Sequence, residues 1–125
     1  MPIIEPQNYS LGEKQRIFTR LVADLIKYVY SKGYELSFGD AYRDPVLARI
    51  YAQKGVGIEK SLHTSRIAID LNLFKDGNYL TDSKSYEFMG IYWEGLSSPG
   101  IECCWGGRFS KPDGNHFSIS HGGRK

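Results

Sequence analysis

The sequence predicts an α+β domain, a small antiparallel sheet with helices packed on one face and a cleft on the sheet. Three observations carry this. A long segment near the N-terminal end keeps helical apolar spacing, and residues 67–74 alternate strictly between apolar and polar. Two more β-prone segments, 101–105 and 115–120, are joined by a loop rich in Gly, Pro and Asp.

Residues 1–9 read as an irregular arm. Ser10 followed by Glu13 is a capping-box signature. Ile17, Leu21, Val22, Leu25, Ile26 and Val29 then keep helical spacing up to a stop at Gly33. Tyr34–Phe38 is β-prone and predicts a first strand. Asp44-Pro45 marks a helix start, with Asp as the cap and Pro at the first helical position; that short helix runs through Leu47, Ile50 and Tyr51 to Gly55. In 67–74, Ile67, Ile69, Leu71 and Leu73 share one face, and Ala68, Asp70 and Asn72 the other. The first face belongs in the core under a helix; the second carries Asp70 towards a cleft. Asp76-Gly77-Asn78 is a turn, and residues 83–95 form a second amphipathic helix anchored by Tyr86, Met89 and Trp93.

A chain of 125 residues is expected to form one domain, 1–125, with a single core. Its composition, 41% hydrophobic and 24% charged, is that of an ordinary globular protein. The net charge of +2 lacks the concentrated basic stripe of a nucleic-acid binder, so no such partner is expected. No apolar run reaches the ~20 residues of a membrane span, and Met-Pro-Ile-Ile-Glu-Pro-Gln does not read as a secretory signal. The expectation is a monomer made in the cytoplasm. Cys103 and Cys104 are adjacent, where a bridge would be strained, and read as a reduced, buried pair in a strand.

The chemistry concentrates in two stretches. Ser61-Leu-His-Thr-Ser-Arg-Ile-Ala-Ile-Asp70 offers His63 and Asp70, and Asp113-Gly-Asn-His-Phe117 offers His116 and Asp113. Two imidazoles and one carboxylate, His63, His116 and Asp70, make a Zn2+ ligand set that leaves a fourth position open for water. Asp113 is then a spare carboxylate, the proton shuttle that metal-assisted hydrolysis needs, although Pro-Asp-Gly-Asn is equally a good turn. Seven extended residues separating His63 from Asp70 would span about 23 Å, so the intervening loop must fold back. Ser61 either orients a ligand by a hydrogen bond or only shapes the loop. Trp105, followed by Gly106-Gly107, either walls the cleft or belongs to the core. His121 is expected to be exposed and not a ligand. There is no nucleophile elbow and no phosphate-binding glycine fingerprint.

The pattern Ser-x-His, an Ala one residue short of the Asp, and a late Asp-x-x-His-Phe resembles the zinc peptidases of the D-Ala-D-Ala carboxypeptidase (VanY) type. It is most similar to the phage endolysins that act as L-alanyl-D-glutamate peptidases. Ala41-Tyr42-Arg43-Asp44-Pro45, Gln53-Lys54-Gly55 and Trp105-Gly106-Gly107 extend the likeness over residues 34–119. The resemblance implies a hedgehog-like fold, zinc as cofactor and peptidoglycan stem peptides as substrate. It also implies Asp113 as general base and Arg43 as the cation that steadies the substrate's carbonyl oxygen or carboxylate, against an ion pair with Asp40 or Asp44. Release to the periplasm and cell wall would then depend on a separate phage holin. One departure stands out: the family usually has Gly where this chain has Arg66. Two rival readings remain. One is a D,D-carboxypeptidase or dipeptidase in which Arg66 or Arg108 binds a terminal carboxylate. The other is a non-catalytic zinc-stabilised wall-binding or virion module.

Overall fold

A computed structural model describes residues 8–54 and 62–125. Helix α1 (Leu11–Ser31) leads to strand β1 (Glu35–Phe38) and helix α2 (Pro45–Gln53). A 3-10 turn at Leu62–Ser65 precedes β2 (Ala68–Lys75), which folds back into β3 (Asn78–Leu80). A second 3-10 turn, Ser83–Tyr86, runs into α3 (Glu87–Gly95), followed by β4 (Cys103–Trp105), a third turn at Gly106–Arg108 and β5 (His116–Ile119).

The five strands form one antiparallel sheet in the order β1-β2-β5-β4, with β3 paired to the far end of β2. The helices that cover it are α1 and α3. Ser10 caps α1 reciprocally with Glu13, so two otherwise orphaned N–H groups are satisfied. The buried stripe of α1 is Phe18, Val22, Leu25 and Val29. Phe18 meets Trp93 of α3 edge to face at 5.7 Å, and Trp93 meets Phe117 of β5 at 6.2 Å. Against them lie Ile69, Leu71 and Leu73 of β2, all buried. Trp93 stays satisfied inside this core by donating its Nε1–H to the carbonyls of Cys104 and Ser118, both at 3.1 Å.

The alternation along β2 is as the sequence predicts: Ile69, Leu71 and Leu73 point into the core, while Asp70 and Asn72 on the other face are half-buried. Three details differ from the sequence reading. The Asp76-Gly77 turn does more than end a strand. Both residues have positive φ (51° and 80°), which makes a tight two-residue hairpin loop and creates β3. The first turn of the 83–95 segment is 3-10 before α3 proper begins. The expected strand 101–105 is regular only over Cys103–Trp105, with Ile101 in an isolated bridge to Ser98. Cys103 and Cys104 are free and buried in β4, and burial pushes both thiols up to about 11. Residues Gly55 and Ser61 lie outside the described residues.

Candidate active site

The site lies on the sheet face opposite α1 and α3. Asp70 is paired directly with His116 across β2 and β5, and directly opposed residues of an antiparallel pair point to the same face. The third member comes from the turn before β2. Leu62–Ser65 coils, and Arg66 takes a left-handed backbone (φ 59°) that reverses the chain. Arg66 N–H then donates to His63 O, and Ile67 N–H to Leu62 O, each at 3.3 Å. That reversal resolves the span problem between His63 and Asp70.

His63 Nε2 lies 3.3 Å and His116 Nδ1 3.8 Å from Asp70 Oδ1. One ligand atom from each of His63, Asp70 and His116 can be chosen so that all lie within 4.8 Å of one another. Both histidines are buried, at 4% and 6% exposure, with their rings 5.2 Å apart and nearly perpendicular. Asp70 Oδ1 is buried yet accepts no well-aligned hydrogen bond among the described residues. A buried carboxylate oxygen without a donor, facing two imidazoles, fits a divalent cation. Burial first, and then the nearby His63, pulls the His116 pKa down to about 4, so the ring is neutral near pH 7, the form that binds metal.

Asp113 reaches the same place from the loop between β4 and β5. Its N–H donates to Gly106 O at 2.9 Å, and its own carbonyl accepts from His116 N–H at 3.1 Å. Gly106 is required at this crossing: a Cβ there would stand 2.1 Å from Asp113 O and 2.8 Å from His116 Cβ. The turn is pinned from below by Trp105 Nε1–H to Gly114 O at 2.7 Å and by Gly114 N–H to Ser83 Oγ at 3.1 Å. Asp113 keeps contact with solvent, but crowding by its neighbours raises its carboxyl pKa above the usual range. The charge of Asp70 adds to the rise, and His63 and Arg43 oppose it.

Arg43 is tied to the cluster through its backbone, since its N–H donates to His63 O at 3.2 Å. Its Nη2 pairs with Asp40 Oδ2 at 2.9 Å. The structure thus brings the side chains of His63, Asp70 and His116 together, with Asp113 and Arg43 joined to His116 and His63 through their backbones. Trp105 is buried in the core at 4% exposure and donates its Nε1–H to Gly114 O. His121 is half-buried rather than exposed, its backbone exchanges two hydrogen bonds with Arg124, and it stands outside the cluster.

Arg66 stacks its guanidinium on the Tyr42 ring, 4.2 Å from the centroid. Both line an apolar cavity of about 460 Å³ between α1 and residues 38–42, and His63, Asp70, Asp113 and His116 do not line it. Arg108 is held by Glu94 through two contacts at 3.1 Å. The sequence reading named Asp40 only as an ion-pair partner of Arg43 and missed that Gly39 and Asp40 continue the sheet alongside Asp70: Gly39 N–H donates to Asp70 O and Asp70 N–H to Asp40 O, both at 2.8 Å. A Gly directly after a β-prone run was the signal, since it marks close backbone approach. A Cβ on Gly39 would come within 3.0 Å of Asp70 Cβ.

The fold is shared with the crystal structure of the L-Ala D-Glu endopeptidase ChiX of Serratia marcescens. The TM-score is 0.70 at 19% identity, over 93% of this chain and 92% of that one. No curated protein matches the sequence. The family model described as D-alanyl-D-alanine carboxypeptidase matches residues 54–119, a span that holds His63, Asp70, Asp113 and His116 and leaves Arg43 outside. Since that match covers just over half of the sequence, the chain belongs to the D-alanyl-D-alanine carboxypeptidase family of peptidases.

Proposed function

We propose that this protein is a zinc-dependent peptidase that cuts peptidoglycan stem peptides, acting as an L-alanyl-D-glutamate endopeptidase. The observation that carries the reading is the convergence of His63, Asp70 and His116 on one point, with Asp113 and Arg43 beside it. His63, Asp70 and His116 would hold the ion, and two imidazoles with one carboxylate favour Zn2+. Bound there, the ion supplies a Lewis acid and brings the pKa of a coordinated water to ~7.

The remaining work falls to the chain. Asp113 takes a proton from the attacking water and passes it to the leaving amine. Arg43 donates to the carbonyl oxygen as negative charge develops there. The sheet face and the Gly106–Asp113 crossing keep these groups in register. A purely structural ion would have no use for Asp113 and Arg43, which weighs against a non-catalytic wall-binding or virion module.

A D,D-carboxypeptidase is the second reading, favoured by the family's description. Against it, Arg66 and Arg108, two candidates for binding a terminal carboxylate, are engaged by Tyr42 and Glu94. Among the described residues no helix is long and apolar enough to cross a membrane. Action on the wall as a phage or prophage endolysin, released by a holin, is the setting we propose. Digestion of purified wall by the zinc-loaded protein, followed by mass analysis, tests this. New N-terminal Glu ends are expected. Release of free D-Ala alone would establish the carboxypeptidase, and an untouched wall would overturn both.

A further inference from the structure

We infer that Asp40 is a positioning residue: its side chain aims the Arg43 guanidinium at the His63–Asp70–His116 cluster while its backbone fixes Asp70 in place. The inference rests on the peptidase reading and adds to it a residue outside the sequence motifs.

The geometry begins where the β1–β2 ladder ends. Phe38 faces Leu71 in the last regular pair. Gly39 N–H and Asp40 O then bond the backbone of Asp70 from the side opposite β5, both at 2.8 Å. Three residues later Arg43 N–H reaches His63 O at 3.2 Å. The short segment 39–43 is therefore stitched to two of the three cluster residues by backbone alone. Across it, Asp40 Oδ2 accepts from Arg43 Nη2 at 2.9 Å.

The two partners differ in setting. The Asp40 side chain is 55% exposed, that of Arg43 only 15%. An ion pair with one partner this open contributes little to stability. Its consequence is directional. An arginine side chain has several rotatable bonds, and a carboxylate anchored three residues back by a hydrogen-bonded backbone selects among its rotamers. Arg43 has further contacts, so Asp40 is one of the groups that hold it. The held position is close to the site, because Arg43 N–H donates to His63 O and the Arg43 side chain is mostly buried. Asp40 thus joins the support of a metal ligand and the orientation of the substrate-facing cation in one residue.

The test compares Asp40→Ala and Asp40→Glu with the wild-type zinc-loaded protein by 15N NMR of the Arg43 guanidinium and by kinetics on wall peptides. In the wild type, restricted rotation should separate the Arg43 Nη signals. Asp40→Ala should merge them and lower kcat by about tenfold to a hundredfold, with zinc content and Tm close to wild type. Asp40→Glu should restore part of both. In an Arg43→Ala background, Asp40→Ala should cost nothing further. Unchanged Arg43 signals in Asp40→Ala, or a full loss that persists without Arg43, would overturn the inference. If the wild type cuts no wall peptide, the peptidase reading fails, and the guanidinium signals alone decide whether Asp40 orients Arg43.

Discussion

Asp70 and His116 stand directly opposite each other across β2 and β5, with Oδ1 and Nδ1 3.8 Å apart on the face away from the helices. Because strand side chains alternate, a slip of one residue in this pairing would turn one of them into the core. The register that buries Ile69 against Phe117 is therefore the same register that assembles the cluster.

Metal should be held by that register and by the His63 turn. Asp70→Ala, His63→Ala and His116→Ala should each lose near-stoichiometric zinc, and chelation of the wild type should lower Tm and abolish wall cleavage together. His121→Ala should leave the metal content unchanged. Elemental analysis and thermal melts check this, and zinc retained in His116→Ala would refute the ligand set.

Asp113→Asn should keep zinc and fold while turnover falls by ~10²–10⁴-fold, the usual contribution of a general base. Steady-state kinetics beside zinc analysis is the measurement. Loss of zinc in this variant would make Asp113 a ligand instead of a proton carrier.

Acid should weaken the metal-free protein through His116. Folding lowers its pKa from 6.5 to about 4, so the unfolded chain takes up a proton that the native state resists. The stability associated with the neutral ring is complete above pH 6.5. It is lost as pH falls towards 4, by about 1.4 kcal/mol per unit at most. Denaturant melts of the chelated protein at stepped pH should show that slope, and His116→Ala should flatten it.

Arg66→Gly should be tolerated. A non-glycine residue in the left-handed region costs roughly 1–2 kcal/mol, and Gly removes that strain at the expense of unfolded-state entropy and of the stack on Tyr42. The net change should stay within about 1 kcal/mol, with wall products unaltered. Arg66→Val, β-branched at positive φ, should destabilise clearly. Paired melts and product analysis check both variants.

Gly106→Ala should disrupt the Asp113 loop. The added Cβ meets backbone at 2.1 Å, which no rotamer change relieves. A stability loss of about 1–3 kcal/mol is expected, together with loss of turnover, measured by denaturant melts and wall digestion.

The sequence by itself determined most of the elements and singled out the residues to which the chemistry is assigned in the proposal. The Ser10–Glu13 box, the helical stripe through Val29 and the alternation of β2 are local patterns set by 3.6- and 2-residue periods, and each appears in place, except that Phe18 is buried at the start of the stripe while Ile17, Leu21 and Ile26 are only partly covered. His63, Asp70, Asp113 and His116 were legible as a donor set because few residue types can bind a metal or carry a proton. What required the tertiary structure was every relation set by non-local contact. β3 is defined by its pairing with β2, and Trp105 faces the core because it stands opposite Phe117 across β4 and β5. The usual Gly at position 66 turned out to mark a left-handed backbone beside His63, and the Arg66 side chain stacks on Tyr42. Asp40 lies outside the motifs and was read only as an ion-pair partner of Arg43. Its place beside Asp70 and Arg43 arises from a strand edge closing against β2, and a backbone hydrogen bond between distant residues leaves no signature in side-chain identity.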